Sequence, residues 1–191
     1  MSTDTDTSWP PLRIVAAIDR LTGWIGGAVA WLALVMVLVG AFNAVARYSG
    51  RFLGLSLSSN AYLELQWYLF SLLFLLGGAY VLREDAHVRV DVLYSRLSNR
   101  GRSIINLLGT LFLLIPFASF VLWVSWPIVR NSWLIREGSP DPGGLPRYPL
   151  KVAILVCFGL LLLQAVAEVI RETHRLRTGA ETPVHHNVDG V

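Results

Sequence analysis

The sequence is short of charge. Only 15% of its 191 residues are Asp, Glu, Lys or Arg, where a soluble domain of this size carries about a quarter. Against that deficit stand 54% hydrophobic residues and a mean hydropathy of +0.54, a balance that points to a bilayer rather than to water. Lysine is nearly missing, Lys151 being the single one among sixteen basic residues. A lone cysteine, Cys157, rules out an internal disulfide. Lying inside an apolar run, it reads as a small hydrophobe in the packing rather than a reactive thiol.

Other absences exclude whole classes of function. The four histidines, His87, His174, His185 and His186, all fall in loops or the C-terminal tail. A four-helix membrane cytochrome needs axial histidines within its spans, so haem in a bundle is argued against. His185 and His186, adjacent in a polar tail, read as solvated rather than as a metal pair. Ser119 and Ser125 have no evident base beside them, as an intramembrane protease would require. No internal repeat is visible, nor any inverted pair of broken spans of the kind that builds a transport site at the membrane midplane. The net charge is +3 with a pI near 9.4, but the arginines are scattered among loops and form no basic face for nucleic acid.

What is present is four long apolar runs. A helix needs about 20 mostly apolar residues to cross a hydrocarbon core of roughly 30 Å. Segments from about Gly23 to Ala46, Tyr62 to Leu82, Ile104 to Pro127 and Leu150 to Ile170 qualify, none with a charge in its middle third. Trp24, Trp67, Trp123, Trp126 and Trp133 lie near span ends, where amphipathic rings prefer the headgroup level. The expected organisation is an N-terminal tail (1–17), a four-span membrane domain (18–171) and a C-terminal tail (172–191). The first dozen residues, "MSTDTDTSWPPL", lack the basic start of a cleaved signal peptide, so the N-terminus is expected to be retained. Arginine and lysine on alternate sides number ten against six, which puts both termini in the cytoplasm by the positive-inside rule.

Between the second and third spans, "LREDAHVRVDVL" (Leu82–Leu93) raises a choice. Read alone, its alternation fits a half-buried strand. An isolated strand at a membrane surface would leave its backbone unpaired, whereas a helix from Val90 places Val90, Leu93, Tyr94 and Leu97 on one stripe and Arg89, Arg96 and Arg100 on the other. Such a helix lies in the interface plane, with Arg89, Arg96, Arg100 and Arg102 among the lipid headgroups. Arg83, His87 and Asp91 stand at successive i+4 positions, either a charged latch at the mouth of the second span or part of a solvated connector. The expected fold is thus all-α and integral to the membrane, with four transmembrane helices and an amphipathic interfacial helix between the second and third.

Several polar or small residues are singled out by position. Arg47 ends the first span and Glu64 begins the second on the same side, so a salt bridge across the hairpin competes with each merely anchoring its helix end. Gly23 and Gly27 form a GxxxG, and Gly40 with Ala44 repeats the small spacing that allows close helix approach. Asn43, Asn106 and Gln164 lie deeper, where interhelical hydrogen bonds form, and are candidates for holding subunits together. Glu64 and Glu168 are the acids a proton-coupled exporter would use, but both sit near span ends rather than at depth. Pro140, Pro142, Pro146 and Pro149 stiffen the segment from Arg136 to Lys151, which either braces a partner, with Arg147 pairing to an acidic surface, or only spaces the last two spans.

The chain also resembles a known family. "ARYSG", then "YLELQWYLFSLLFLLGGAYVLREDAHVRVDVLYSRLSNRGR", then "SPDPGGLPRYPLK" opening the last span, is similar to the small membrane subunit of tripartite ATP-independent periplasmic (TRAP) transporters, over roughly Ile18 to Arg171. The resemblance implies no enzyme and no cofactor in this chain. It implies two partners in a bacterial inner membrane. One is a periplasmic substrate-binding protein that captures a substrate, usually an organic acid. The other is a large membrane subunit that imports the substrate on a sodium gradient by elevator-like motion, with the small subunit as a static scaffold. The alternative is a subunit of another small four-helix transporter or channel.

Overall fold

The structure is a computed structural model that describes residues 10–54, 59–84 and 97–179. It is all-helical over those residues, with four helices long and apolar enough to cross a membrane. The expected interfacial helix around Val90, and with it His87, Arg89, Asp91 and Arg96, lies outside the described residues.

Helix α1 runs Pro10–Leu53, 44 residues, starting on prolines whose missing N–H groups cost nothing in a first turn. Helix α2, Asn60–Arg83, is capped by Ser59, whose Oγ accepts the Ala61 N–H at 3.3 Å. Helix α3, Asn99–Leu134, is capped by Ser98 Oγ on the Gly101 N–H at 3.2 Å. It widens into a π turn over Thr110–Leu114 just before Pro116. Proline has no N–H to donate and its ring presses on the carbonyl four residues earlier, so a wide turn there relieves the clash. Helix α4, Tyr148–Thr178, has Pro149 in its first turn and ends on Gly179. That glycine sits at φ 69°, and its N–H closes on the Arg175 carbonyl at 2.9 Å.

At 1.5 Å per residue α1 is about 66 Å long, roughly twice the hydrocarbon thickness. It therefore tilts strongly or projects beyond the bilayer. The helices pack unequally. Helix α1 pairs with α2, α4 touches all three others, and α3 packs on α4. A third (33%) of the most apolar window of α4 is buried, against 6% for α1 and 11% each for α2 and α3. Ala153, Cys157, Ala165 and Ala167 are buried along α4; small side chains let neighbouring backbones approach it. Cys157 thus serves as packing. The outward faces of α1 and α3 stay apolar, with Trp24, Trp31, Phe74 of α2, Phe112 and Trp123 all largely exposed.

Glycines set the α1–α2 contact, but not in the expected pattern. A Cβ at Gly23 would fall 2.2 Å from Arg83 Nη1, at Gly26 2.4 Å from Tyr80 Cδ2, and at Gly40 2.7 Å from Gln66 Nε2, whereas Gly27 has nothing within 4 Å. The seam therefore uses Gly23 and Gly26 at three-residue spacing, each seating a side chain of α2, and Gly27 turns away. Gly26→Ala should lower thermal stability, by about 1–3 kcal/mol as for other overpacked sites. Gly27→Ala should be neutral or gain up to about 1 kcal/mol of helix propensity. Thermal unfolding of the two variants in one detergent checks this, and equal effects would contradict the seam.

Candidate functional site

Polar side chains gather at the two ends of the bundle. At one end lies the segment between α3 and α4; the other holds the start of α1 and the finish of α4.

At the loop end the hub is Glu64, in the second turn of α2 and only 2% exposed. Its two carboxylate oxygens accept from the Ser139 hydroxyl and from the Leu145 backbone N–H, both short contacts. Two further α2 residues grip the same segment. Asn60 Nδ2 donates to the Pro142 carbonyl at 3.1 Å, and the Tyr68 hydroxyl donates to the Pro146 carbonyl at 2.6 Å. Asn60, Glu64 and Tyr68 are spaced by four, so one face of α2 carries all three. Prolines supply no N–H, so this segment has fewer backbone donors than carbonyls, and those of Pro142 and Pro146 take these side-chain donors. Arg147 sits 5.8 Å over the Trp67 ring, a cation–π contact, and its N–H donates to the Glu137 carbonyl at 2.8 Å. Glu137 in turn holds α3 to α4, accepting from Ser132 Oγ at 2.6 Å and from Lys151 Nζ. Those two hydrogen bonds, Lys151 first, hold its carboxyl below the ordinary carboxylate range.

At the terminal end Asp19 of α1 is the hub. Arg171 Nη2 of α4 donates to both its oxygens, at 3.0 and 2.8 Å, and Gln164 Nε2 donates to Oδ1 at 3.0 Å. Thr22 Oγ1 then reaches Gln164 Oε1 at 3.2 Å. Gln164 is fully buried and Thr22 1% exposed. A small apolar core of Val15, Ile18 and Ala167, with Ile170 against it, packs beside these bonds. Arg171 also donates to Glu168 at 2.6 Å, and Glu172 takes Arg175 at 2.8 Å and Asn106 of α3 at 3.2 Å. Helices α1 and α3 are thus both bonded to α4.

These placements revise several expectations. Among the described residues no ion pair joins Arg47 to Glu64: Arg47 is exposed, and Glu64 turns to the loop, whose hydroxyl and N–H satisfy it. Arg147 lies on Trp67 and faces Glu64 and Glu137 of its own chain. Arg83 lies on Gly23 and 5.8 Å from the Tyr80 ring, with Glu84 at 3.6 Å. The latch it was to form with His87 and Asp91 lies outside the described residues. Arg100 is exposed in the first turn of α3 and Arg102 half-buried. Gln164 and Asn106 make their bonds within the chain, while Asn43 is buried with its Oδ1 unpartnered. Asp19, Arg171 and Glu172 escaped the sequence reading. Their only signal was charge placed just where an apolar run gives out, and that marks every span end alike.

Among the described residues no group of three or more His, Cys, Asp or Glu side chains converges as a metal would require. The arrangement joins helices to one another, and its polar groups spend themselves on that. The fold and these contacts define a multi-pass helical membrane protein built around a central, internally bonded helix. A family model for the DctQ component of tripartite ATP-independent periplasmic transporters matches residues 36–175, and the chain belongs to that family, a transporter-component family and not an enzyme family. Comparison with curated proteins and with solved structures gives no match.

Two outcomes follow. Asp19→Ala should cost about 1–2 kcal/mol, the range for a hydrogen-bonded charge discounted for partial exposure. Exchanging the pair (Asp19→Arg with Arg171→Asp) should recover part of the loss in thermal unfolding. For Glu137 the bound state favours the carboxylate, so its contribution is complete above the unfolded value of about 4.3 and is lost as pH falls through the lower folded value. Protease protection of the 135–147 segment should accordingly hold through neutral and mildly acidic pH and fall below it, and Glu137→Gln should shrink that acid step, leaving the part set by the Glu64 carboxylate on Ser139 and Leu145.

Proposed function

We propose that this chain is the small scaffold subunit of a TRAP-type secondary transporter and carries no translocation path of its own. The observation that supports this most is where its polar groups are spent. Every ionisable contact described above closes within the chain at one of the two bundle ends, leaving the middle apolar and the helices cross-tied. Coupled transport across the midplane calls for ionisable or unwound elements at depth. A bundle tied at both ends suits a fixed support instead.

On this reading the large membrane subunit of the same transporter lies against the outward apolar faces. It moves the substrate on a sodium gradient, and a periplasmic binding protein delivers that substrate, an organic acid. The membrane is the bacterial inner membrane, with the terminal end cytoplasmic and the 135–147 segment periplasmic, in keeping with the arginine distribution. Membrane lipids cover what the partner leaves exposed. The stiff segment held by Glu64 then offers the periplasmic side a fixed edge.

The test is reconstitution. Liposomes containing this chain alone should show no sodium-driven uptake of organic acids, and adding the large subunit and binding protein should restore it. Uptake by the isolated chain would sink the scaffold reading. Replacing Glu64 by Ala removes the acceptor of the part-buried Leu145 N–H and Ser139 hydroxyl, at about 1 kcal/mol since water can partly replace it. Uptake by the complete transporter should fall with it.

A further inference from the structure

The middle of α3 carries backbone that its own helix does not satisfy. In the π turn the Ile115 N–H reaches back to the Thr110 carbonyl, so it does not serve Leu111, four residues before it. The next donor along would be residue 116, a proline with no N–H. The Leu111 carbonyl thus loses both its fourth- and its fifth-residue donor, and Phe112 loses its fourth. This turn lies midway along the third span, where acyl chains offer no donor and an unpaired backbone group is costly. Leu111 and Phe112 are 44% and 67% exposed, so the turn is not covered by the rest of the bundle.

A hydroxyl stands on the same side. Phe112, Pro116, Ser119 and Trp123 follow at i, i+4, i+7 and i+11, one stripe of α3 that is exposed throughout. Elsewhere in the chain Ser71, Thr173 and Thr178 bond back one turn, to the carbonyls of Trp67, Val169 and His174. The Ser119 hydroxyl has no hydrogen-bond partner among the described residues. We propose that this stripe seats a transmembrane helix of the large membrane subunit, which donates a side-chain hydrogen bond to the Leu111 carbonyl and takes the Ser119 hydroxyl. The partner's identity rests on the scaffold reading above; its chemistry comes from α3. A carbonyl is the negative end of a dipole, so on an apolar face it is complemented by a donor, which lipid tails lack. A second copy of this chain, related by an axis along the membrane normal, would set Leu111 against Leu111 at one depth, acceptor against acceptor. A different chain is needed, one with a hydroxyl, amide or indole N–H at the depth of the π turn.

The test uses this chain co-expressed with the large subunit and carried into lipid nanodiscs. A photo-crosslinking amino acid in place of Ser119 should bond to the large subunit. Ser119→Trp fills the stripe and should lower co-purification of the large subunit by roughly tenfold or more, with thermal unfolding of the isolated chain unchanged. Ser119→Ala should weaken association about threefold to twentyfold, the range for one hydrogen bond between membrane helices. Pro116→Ala returns an N–H to the α3 backbone, so the isolated chain should be at least as stable while association weakens by a similar factor. If Pro116→Ala perturbs α3, the Ser119 variants decide. Crosslinking from position 119 only to a second copy of this chain or only to lipid would overturn the proposal, as would an unchanged yield of complex in Ser119→Trp. An intact wild-type complex with either result removes this interface alone, whereas wild-type chains that do not co-purify remove the scaffold reading with it.

Discussion

A helix in lipid gains little by exchanging acyl chains for another apolar helix, because both are equally dry. Four apolar helices therefore stay together through what lipid cannot offer, close backbone approach and polar bonds. The Asp19 carboxylate and its partners on α4 are the fullest case. Arg171 and Gln164 converge on it, Thr22 backs Gln164, and the apolar core of Val15, Ile18 and Ala167 lies alongside. Through this contact the first helix is fixed to the last, and with α1 comes α2, seated on Gly23, Gly26 and Gly40. The loop end repeats the logic with Glu64 and Glu137, so α4 is tied to its neighbours at both ends.

That distribution bears on what the subunit does. A moving transport element needs interfaces that slide and polar groups that change partners, whereas the groups here are consumed by fixed contacts within one chain. The surfaces left over are apolar faces of α1 and α3 rich in exposed aromatics such as Trp31 and Trp123. Membership in a transporter-component family fits a chain whose own interior is spent on holding shape. The proline-rich segment takes part in the same economy: its Pro142 and Pro146 carbonyls are held by Asn60 and Tyr68, and it acts as a third tie between α2 and the α3–α4 turn.

The four helices were legible because length and hydropathy alone define a span. Helix ends were less so: α1 continues from Pro10 through Leu53, past residues whose polarity suggested a stop, because nothing between them breaks a helix. The site was legible only in its parts. Glu64 stood out, but its partner did not. Arg47 was the opposite charge weighed for it across the hairpin, while the groups that win are a serine and a backbone N–H some 75 and 81 residues away, and a backbone donor leaves no trace in sequence. Asp19 and Arg171 are 152 residues apart, and each reads by itself as an ordinary charge at a span end. The glycine seam was misjudged by one residue, since a four-residue spacing is the commoner pattern but the face toward α2 here follows three.

The scaffold account stands or falls on whether this bundle stays still while the transporter works. The direct measurement is pulsed electron–electron resonance between spin labels on exposed positions Phe74 of α2 and Val156 of α4, in the assembled transporter, with and without a sodium gradient and substrate. The account predicts one narrow distance distribution, unchanged by either. A second distance appearing under turnover would contradict it.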